Sequence, residues 1–250
     1  MTYDKIYFAS DFHLGSDYFE KSIERELKIV RWLDLIQKDA SELFLLGDVF
    51  DFWFEYKNAI PKGFTRLFGK LAELSDCGLK IHYFTGNHDI WLLDYFQKEF
   101  KFTVYSKPVI IDILGKKFYL GHGDALGSGD FGGKFVNALM KNNFATWIFR
   151  KIHPDLGIPL GNYFSRLSGI KTKTVNTTLH GKGNECLINF SKSVLENNSV
   201  DFFIFGHHHQ ALDVKLSEKT RFINLGDWIH LNSYGVYDGI SFELKFFEKE

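Results

Sequence analysis

Five short apolar runs, each stopped by a polar or glycine-led cluster, constrain this chain more than any other feature. Ile6-Tyr7-Phe8-Ala9 leads into Ser10-Asp11-Phe12-His13, and Leu43-Phe44-Leu45-Leu46 into Gly47-Asp48. Ile81-His82-Tyr83-Phe84 leads into Thr85-Gly86-Asn87-His88-Asp89. Phe118-Tyr119-Leu120 leads into Gly121-His122-Gly123-Asp124, and Phe202-Phe203-Ile204-Phe205 into Gly206-His207-His208-His209. Runs this short, rich in aromatic and β-branched residues, read as buried strands. Helical patterns lie between them. Residues 20–38 space Ile23, Leu27, Val30, Leu33 and Ile36 by threes and fours, and 64–76 and 185–197 read the same way. Alternation of strands and helices predicts an α/β layered fold. Ligand sites in such sheets lie beyond the carboxyl ends of strands, which is where all five clusters fall.

Residues 126–176 break the pattern. A glycine-rich start, Gly127 to Gly133, is followed by apparent helices carrying Phe135, Phe144, Trp147, Phe149, Tyr163 and Phe164. Seven basic residues against Asp130 and Asp155 give this stretch a local charge of +5 within a chain of net charge −1. It reads as a helical lid inserted into a single domain spanning 1–250. From Arg221 to Phe247 the pattern alternates, with Tyr-Gly and Asp-Gly turns, and predicts antiparallel strands.

Composition excludes several classes. The net charge of −1 argues against a nucleic-acid-coating protein. Two cysteines are too few for a disulfide scaffold or a Cys-rich zinc module and favour a reducing compartment. No apolar run reaches the length of a membrane span, and the N-terminus lacks the features of a signal peptide. Aromatics are 17%, with 27 Phe, which points either to broad aromatic packing or to a greasy ligand.

The clusters carry metal chemistry. Asp11-x-His13 and His207-x-His209 each place two ligand types on one side of an extended segment. Asp48 and Asn87 add oxygen, and His122 another imidazole. Oxygen and imidazole without thiolate suit Mn, Fe or Zn in a catalytic site. Seven ligands exceed one tetrahedral ion and suit two ions sharing a carboxylate. One Asp-x-His alone is more often a solvent-facing loop pair; the argument rests on five clusters in order.

The series Asp11-x-His13, Gly47-Asp48-x-x-Asp51, Gly86-Asn87-His88-Asp89, Gly121-His122-Gly123-Asp124 and Gly206-His207-x-His209 resembles the calcineurin-like metallophosphoesterases. The resemblance implies a four-layer α-β-β-α sandwich. It implies one metal held by Asp11, His13, Asp48 and His209, and another by Asp48, Asn87, His122 and His207. Mn²⁺ is preferred, with Fe and Zn as alternatives. By the same resemblance His88 donates to the phosphate and to the leaving oxygen, Asp89 orients it, and Asp51 supports the ligands from behind.

Further segments narrow the resemblance. Gly47-Asp48-Val49-Phe50-Asp51-Phe52-Trp53, His122 to Leu126 followed by Asp130, and Asn224 to Trp228 are similar to the branch that cleaves the diphosphate of a diacylated UDP-sugar in lipid A biosynthesis. Many of its members have Gly-Asn-Arg-Asp where this chain has Gly-Asn-His-Asp, so His88 returns to the general family pattern. The branch implies a lipid-linked sugar nucleotide as substrate and a cytoplasmic enzyme peripheral to the inner membrane. A basic, aromatic-rich lid suits a diphosphate with acyl chains and an anionic membrane surface. Asn87, His88, Asp130, Ser165 and Arg166 are candidate substrate contacts, and Trp53 a candidate wall of the site. Two rival readings are a phosphodiesterase or nucleotide pyrophosphatase for soluble substrates, and a non-catalytic scaffold on the same fold.

Overall fold

A computed structural model of the chain describes residues 5–17, 20–124, 126, 142–171 and 181–248. The predicted runs fall in strands β1 (Lys5–Ala9), β2 (Ala40–Leu46), β3 (Lys80–Phe84), β6 (Lys116–Leu120) and β7 (Phe202–Phe205). The remaining strands are β4 (Thr103–Tyr105), β5 (Val109–Ile113), β8 (Ala211–Lys215), β9 (Arg221–Leu225), β10 (Ser233–Tyr237) and β11 (Phe242–Phe246). They form a six-stranded sheet, ordered β11-β10-β1-β2-β3-β4, and a five-stranded sheet, ordered β5-β6-β7-β9-β8. The central strands β1, β2 and β3 pair in parallel. They are covered on both faces, so their sequences are continuous apolar runs rather than alternating ones.

Helices α1 (Ser22–Ile36), α2 (Thr65–Asp76) and α3 (Tyr95–Phe100) bring apolar residues to one side of the first sheet, around Trp32, Leu33, Leu67 and Phe96. Between the sheets, Phe8, Phe44, Phe118, Phe202 and Phe242 form a second core. Phe8 stacks on Phe44 at 5.1 Å and on Phe118 at 5.7 Å. Another helix, Gly181–Leu195, covers the far side of the second sheet around Leu187 and Phe203. The result is an α-β-β-α sandwich. Each buried Phe contributes about 1.5–3 kcal/mol and each ring pair about 0.5–1.5 more. Much of the phenylalanine surplus therefore goes into packing.

Three expectations need correction. The stripe read on α1 holds only in its last turns: Leu33 and Ile36 are buried, but Ile23 and Leu27 are each 40% exposed, and Arg25 and Glu26 are buried in the first turns instead. The buried polar pair has partners. Arg25 donates to the carbonyls of His13 and Ser16, and Glu26 accepts from the otherwise unpaired N–H groups of Arg66 and Leu67 at the start of α2. The Tyr234-Gly235 pair is not a turn but lies inside β10, where the absence of a side chain on Gly235 admits the Phe242 ring. The Asp238-Gly239 turn does join β10 to antiparallel β11. β9, also expected to be antiparallel, runs parallel to β7 and antiparallel only to β8.

Within 126–176 the described elements are α4 (Asn143–Phe149) and α5 (Pro154–Lys171); the helix at 181–195 becomes α6. Asn142 caps α4 by accepting from the Phe144 and Ala145 N–H groups. Pro154 opens α5, where a missing N–H costs nothing. Phe149 anchors α4 by packing on Phe54 at 4.7 Å and on Trp91 at 5.3 Å. Asp130 lies outside the described residues, and of Arg166 only the helical backbone is described.

Candidate metal centre

The ligand candidates do not lie on extended segments, contrary to the period-two expectation. Asp11, His13, Asp48, His207 and His209 all have positive φ, between 45° and 70°. The left-handed region is unfavourable for residues with a Cβ, and such strain gathers at functional sites. Here it curls the chain back as it leaves the strands, so the paired side chains share a side through turns and not through pleating. The loops approach one another closely. A Cβ on Gly86 would overlap Asp48, and one on Gly206 would overlap Asp11 and Ser10.

The ligand candidates fall into two groups, each with its ligand atoms within 4.8 Å of one another, Asp11, His13 and His209, and Asp48, His122 and His207; His13 is also grouped this closely with Asp51 and His88. In the first, His13 Nε2 and His209 Nε2 are 3.2 Å apart, and Asp11 Oδ1 lies 3.7 and 3.4 Å from them. In the second, His122 Nε2 lies 3.1 Å from Asp48 Oδ2 and 3.2 Å from Asn87 Oδ1. Asp48 Oδ2 also lies 3.7 Å from His13 Nε2, so this carboxylate faces both groups.

The Nδ1 atoms point the other way, onto partners that fix the rings. His13 Nδ1 is 3.3 Å from Asp51 Oδ1, His209 Nδ1 is 3.2 Å from Asp227 Oδ2, and His122 Nδ1 is 2.8 Å from the Leu46 carbonyl. A partner on Nδ1 leaves Nε2 to bind a metal and raises its basicity. Asp227 was not assigned a role from the sequence. Its signal was available: a Gly-Asp step just past a strand end, as at Gly47-Asp48. It also binds the loop that follows it, accepting from the Ile229, His230 and Leu231 N–H groups.

Asp89 has a different role from the one expected. Its buried carboxylate accepts from the Gly86 and Val49 N–H groups and from the Tyr83 hydroxyl. These bonds pin the 86–89 loop, while the His88 imidazole meets Asp51 and Ser165 instead. His88 Nδ1 is 2.8 Å from the Asp51 carbonyl and 2.8 Å from Ser165 Oγ. Trp53 is corrected as well. It is fully buried in the core, 4.5 Å from Phe50 and 5.2 Å from Phe96, because those rings enclose it; it cannot wall the site.

The electrostatics favour a cation. Burial opposes a charge on His13, but Asp11, Asp51 and Asp48 outweigh it and raise the imidazole to about 10. His122 is raised in the same way against its burial, chiefly by Asp48. Burial would raise the carboxyls of Asp11 and Asp48, yet the facing histidines hold both below the usual carboxylate range. His207 is pushed down to about 3 by burial and by neighbouring His122. Asp11 Oδ1 is buried without a hydrogen-bond partner. An orphaned carboxylate oxygen facing two convergent Nε2 atoms is the donor set of a divalent cation, and this basin fits divalent metal.

An α-β-β-α sandwich with a His/Asp/Asn basin at its strand ends defines the metallophosphoesterase class. The chain belongs to the calcineurin-like phosphoesterase family, whose sequence profile matches residues 4–211. A UDP-2,3-diacylglucosamine hydrolase from Porphyromonas gingivalis is 40% identical to it over 98% of both chains. A UDP-2,3-diacylglucosamine hydrolase from Aeromonas salmonicida is 27% identical over 90% of this chain and 87% of its own. Among solved structures, a dimetal phosphatase from Danio rerio superposes with a TM-score of 0.51 at 12% identity, covering 99% of this chain and 100% of that one. It shares the fold.

Proposed function

We propose that this chain hydrolyses the diphosphate of UDP-2,3-diacylglucosamine to UMP and 2,3-diacylglucosamine 1-phosphate. The observation that carries the reading is the relative of that name, 40% identical across 98% of both chains. The site residues are assigned by role. Asp11, His13, Asp48 and His209 would hold one divalent ion, and Asp48, Asn87, His122 and His207 a second, with Mn²⁺ the first choice. Ions held there supply charge stabilisation at phosphorus and lower the pKa of water. Asn87 and His88 meet the phosphate, and His88 hands a proton to the leaving oxygen. Asp51 and Asp227 keep the ligating imidazoles in orientation.

The 126–176 insert is the lid that binds the acyl chains. What supports this is its outward face: Phe144, Trp147, Leu156, Tyr163 and Phe164 are 55–68% exposed. Groups this apolar on a surface mark a binding site. No described helix is long and apolar enough to cross a membrane. Binding to the cytoplasmic face of the inner membrane is therefore proposed as peripheral, through this face and the basic residues of the insert.

The test is turnover of UDP-2,3-diacylglucosamine beside deacylated UDP-sugar and plain phosphodiesters, in Mn²⁺ and after chelation. We expect a strong preference for the diacylated substrate and loss of activity on chelation. Equal turnover of acylated and deacylated substrates would favour a nucleotide pyrophosphatase for soluble substrates instead.

A further inference from the structure

Helix α5 reaches the basin along one face. Gly157, Gly161 and Ser165 recur every four residues, so they share that face, and all are buried. A Cβ on Gly161 would overlap the Phe52 ring, and one on Gly157 the Tyr56 hydroxyl. The helix backbone thus lies against residues 52–56 at a separation that only glycine allows. This approach delivers Ser165. Its Oγ stands 2.5 Å from the Asp51 carbonyl, 3.0 Å from Asp51 Oδ2 and 2.8 Å from His88 Nδ1.

These contacts decide which ring nitrogen of His88 carries the hydrogen. The Asp51 carbonyl can only accept, and it lies 2.8 Å from His88 Nδ1, so Nδ1 carries a hydrogen. The Ser165 hydroxyl then donates to Asp51, and its lone pair accepts from the same ring N–H. His88 Nε2 is left as the other ring nitrogen, and it hands a proton to substrate from the imidazolium, in which Nδ1 keeps its hydrogen to Asp51. The His88 ring stands edge-on to His13, with centroids 4.9 Å apart and planes at 80°. Asp51 therefore joins a ligating histidine to His88, and a serine from the insert closes the arrangement.

We propose that Ser165 is a positioning residue that holds the orientation of His88, whose tautomer the Asp51 carbonyl sets, and so couples seating of the insert to the chemical step. The proposal rests on the role given to His88 above, and it replaces substrate contact as the function of Ser165. Displacing a catalytic group by about 1 Å can cost about 10²-fold in rate.

A double-mutant cycle tests it, with the Mn²⁺-loaded protein and UDP-2,3-diacylglucosamine. Ser165→Ala should lower kcat by about 10- to 100-fold, leave KM within about twofold and leave metal content unchanged. Ser165→Thr, which keeps the hydroxyl, should recover most of the loss. In a His88→Ala background, Ser165→Ala should cost nothing more. Two-bond ¹H–¹⁵N spectra of the metal-free protein should show His88 as the Nδ1–H tautomer in the parent and in Ser165→Ala alike, with the His88 ring signals shifted or broadened in the variant as its orientation is released. Losses that add to those of His88→Ala, or that fall on KM, would mean that the serine touches substrate and would overturn the proposal. So would His88 ring signals that are the same in Ser165→Ala as in the parent. If His88→Ala itself turned over at the parent rate, the role given to His88 would fail, while the spectra would still decide whether Ser165 holds the ring.

Discussion

The strand-end basin and the α4–α5 pair are neighbours built on opposite principles. In the basin, ring after ring has its far nitrogen tied down: His13 to Asp51, His122 to the Leu46 carbonyl, His209 to Asp227. The backbone there accepts left-handed strain to aim the ligands. On α4 and α5, one face is packed through Phe149, Gly161 and Ser165, while Phe144, Trp147 and Leu156 are exposed. A site for chemistry gains from fixed geometry, because its energy is electrostatic and falls with small displacements. A surface for long flexible chains gains from exposed apolar area, which does its work only when covered. The difference suggests that cleavage and substrate selection can be damaged separately.

The largest effect should come from Asp48, the carboxylate facing both histidine groups. Asp48→Ala is expected to lower bound metal, measured by elemental analysis, and to cut turnover by at least about 10³-fold. Circular dichroism should be nearly unchanged, since the flanking core is apolar. Retention of two ions per chain in this variant would break the bridged arrangement and with it the basin side of the comparison.

Damage to the outward face should look different. Replacing Phe144 and Trp147 together with Ser removes large apolar surfaces worth about 25 cal/mol per Å² when covered. KM for the diacylated substrate should rise about 10- to 100-fold, while kcat on a small activated phosphodiester stays at the parent value. A rise on both substrates would mean that the insert shapes the metal basin and not only the lipid side.

Gly161→Val probes the seam between the two regions. The added side chain meets the Phe52 ring, and overpacking of this kind costs about 1–3 kcal/mol. Thermal unfolding should drop by roughly 2–10 °C for a chain of this size. kcat should fall with it, as in Ser165→Ala, because α5 is lifted from His88. Parent kcat with lowered stability would separate the seating of α5 from the chemistry.

The smallest effect lies in neither region and serves as a control. Glu42 is held below the usual carboxylate range, first by its hydrogen bond with His82, against the opposing effect of burial. A carboxyl depressed in the folded state adds stability above its unfolded value of about 4.3 and loses it as pH falls through the folded one. Glu42→Gln should therefore lower stability slightly at pH 7, by under about 1 kcal/mol. The difference from the parent should vanish in acid, followed by thermal unfolding between about pH 7 and pH 3.

Much of this architecture can be read along the chain, and the boundary is physical. Parallel strands covered on both faces must be apolar throughout and must stop where a loop turns, so β1, β2, β3, β6 and β7 announce themselves locally. The ligand types just beyond them are equally local, which is why the basin's membership was legible. Partnership was not. Asp89 goes to Tyr83 and to the N–H groups of Gly86 and Val49, while His88 goes to Asp51 and to a serine 77 residues away. The buried side of the first turns of α1 was not legible for the same reason. Periodicity counts apolar residues, but Arg25 and Glu26 are buried because distant backbone groups need their hydrogen bonds. By itself the sequence determined the layered fold, the strand ends and the kinds of ligand they carry, since these follow from burial and backbone preference within a few residues. Only the tertiary structure decided which polar group satisfies which, because a buried donor takes whichever acceptor the packing of remote segments brings within 3 Å or so.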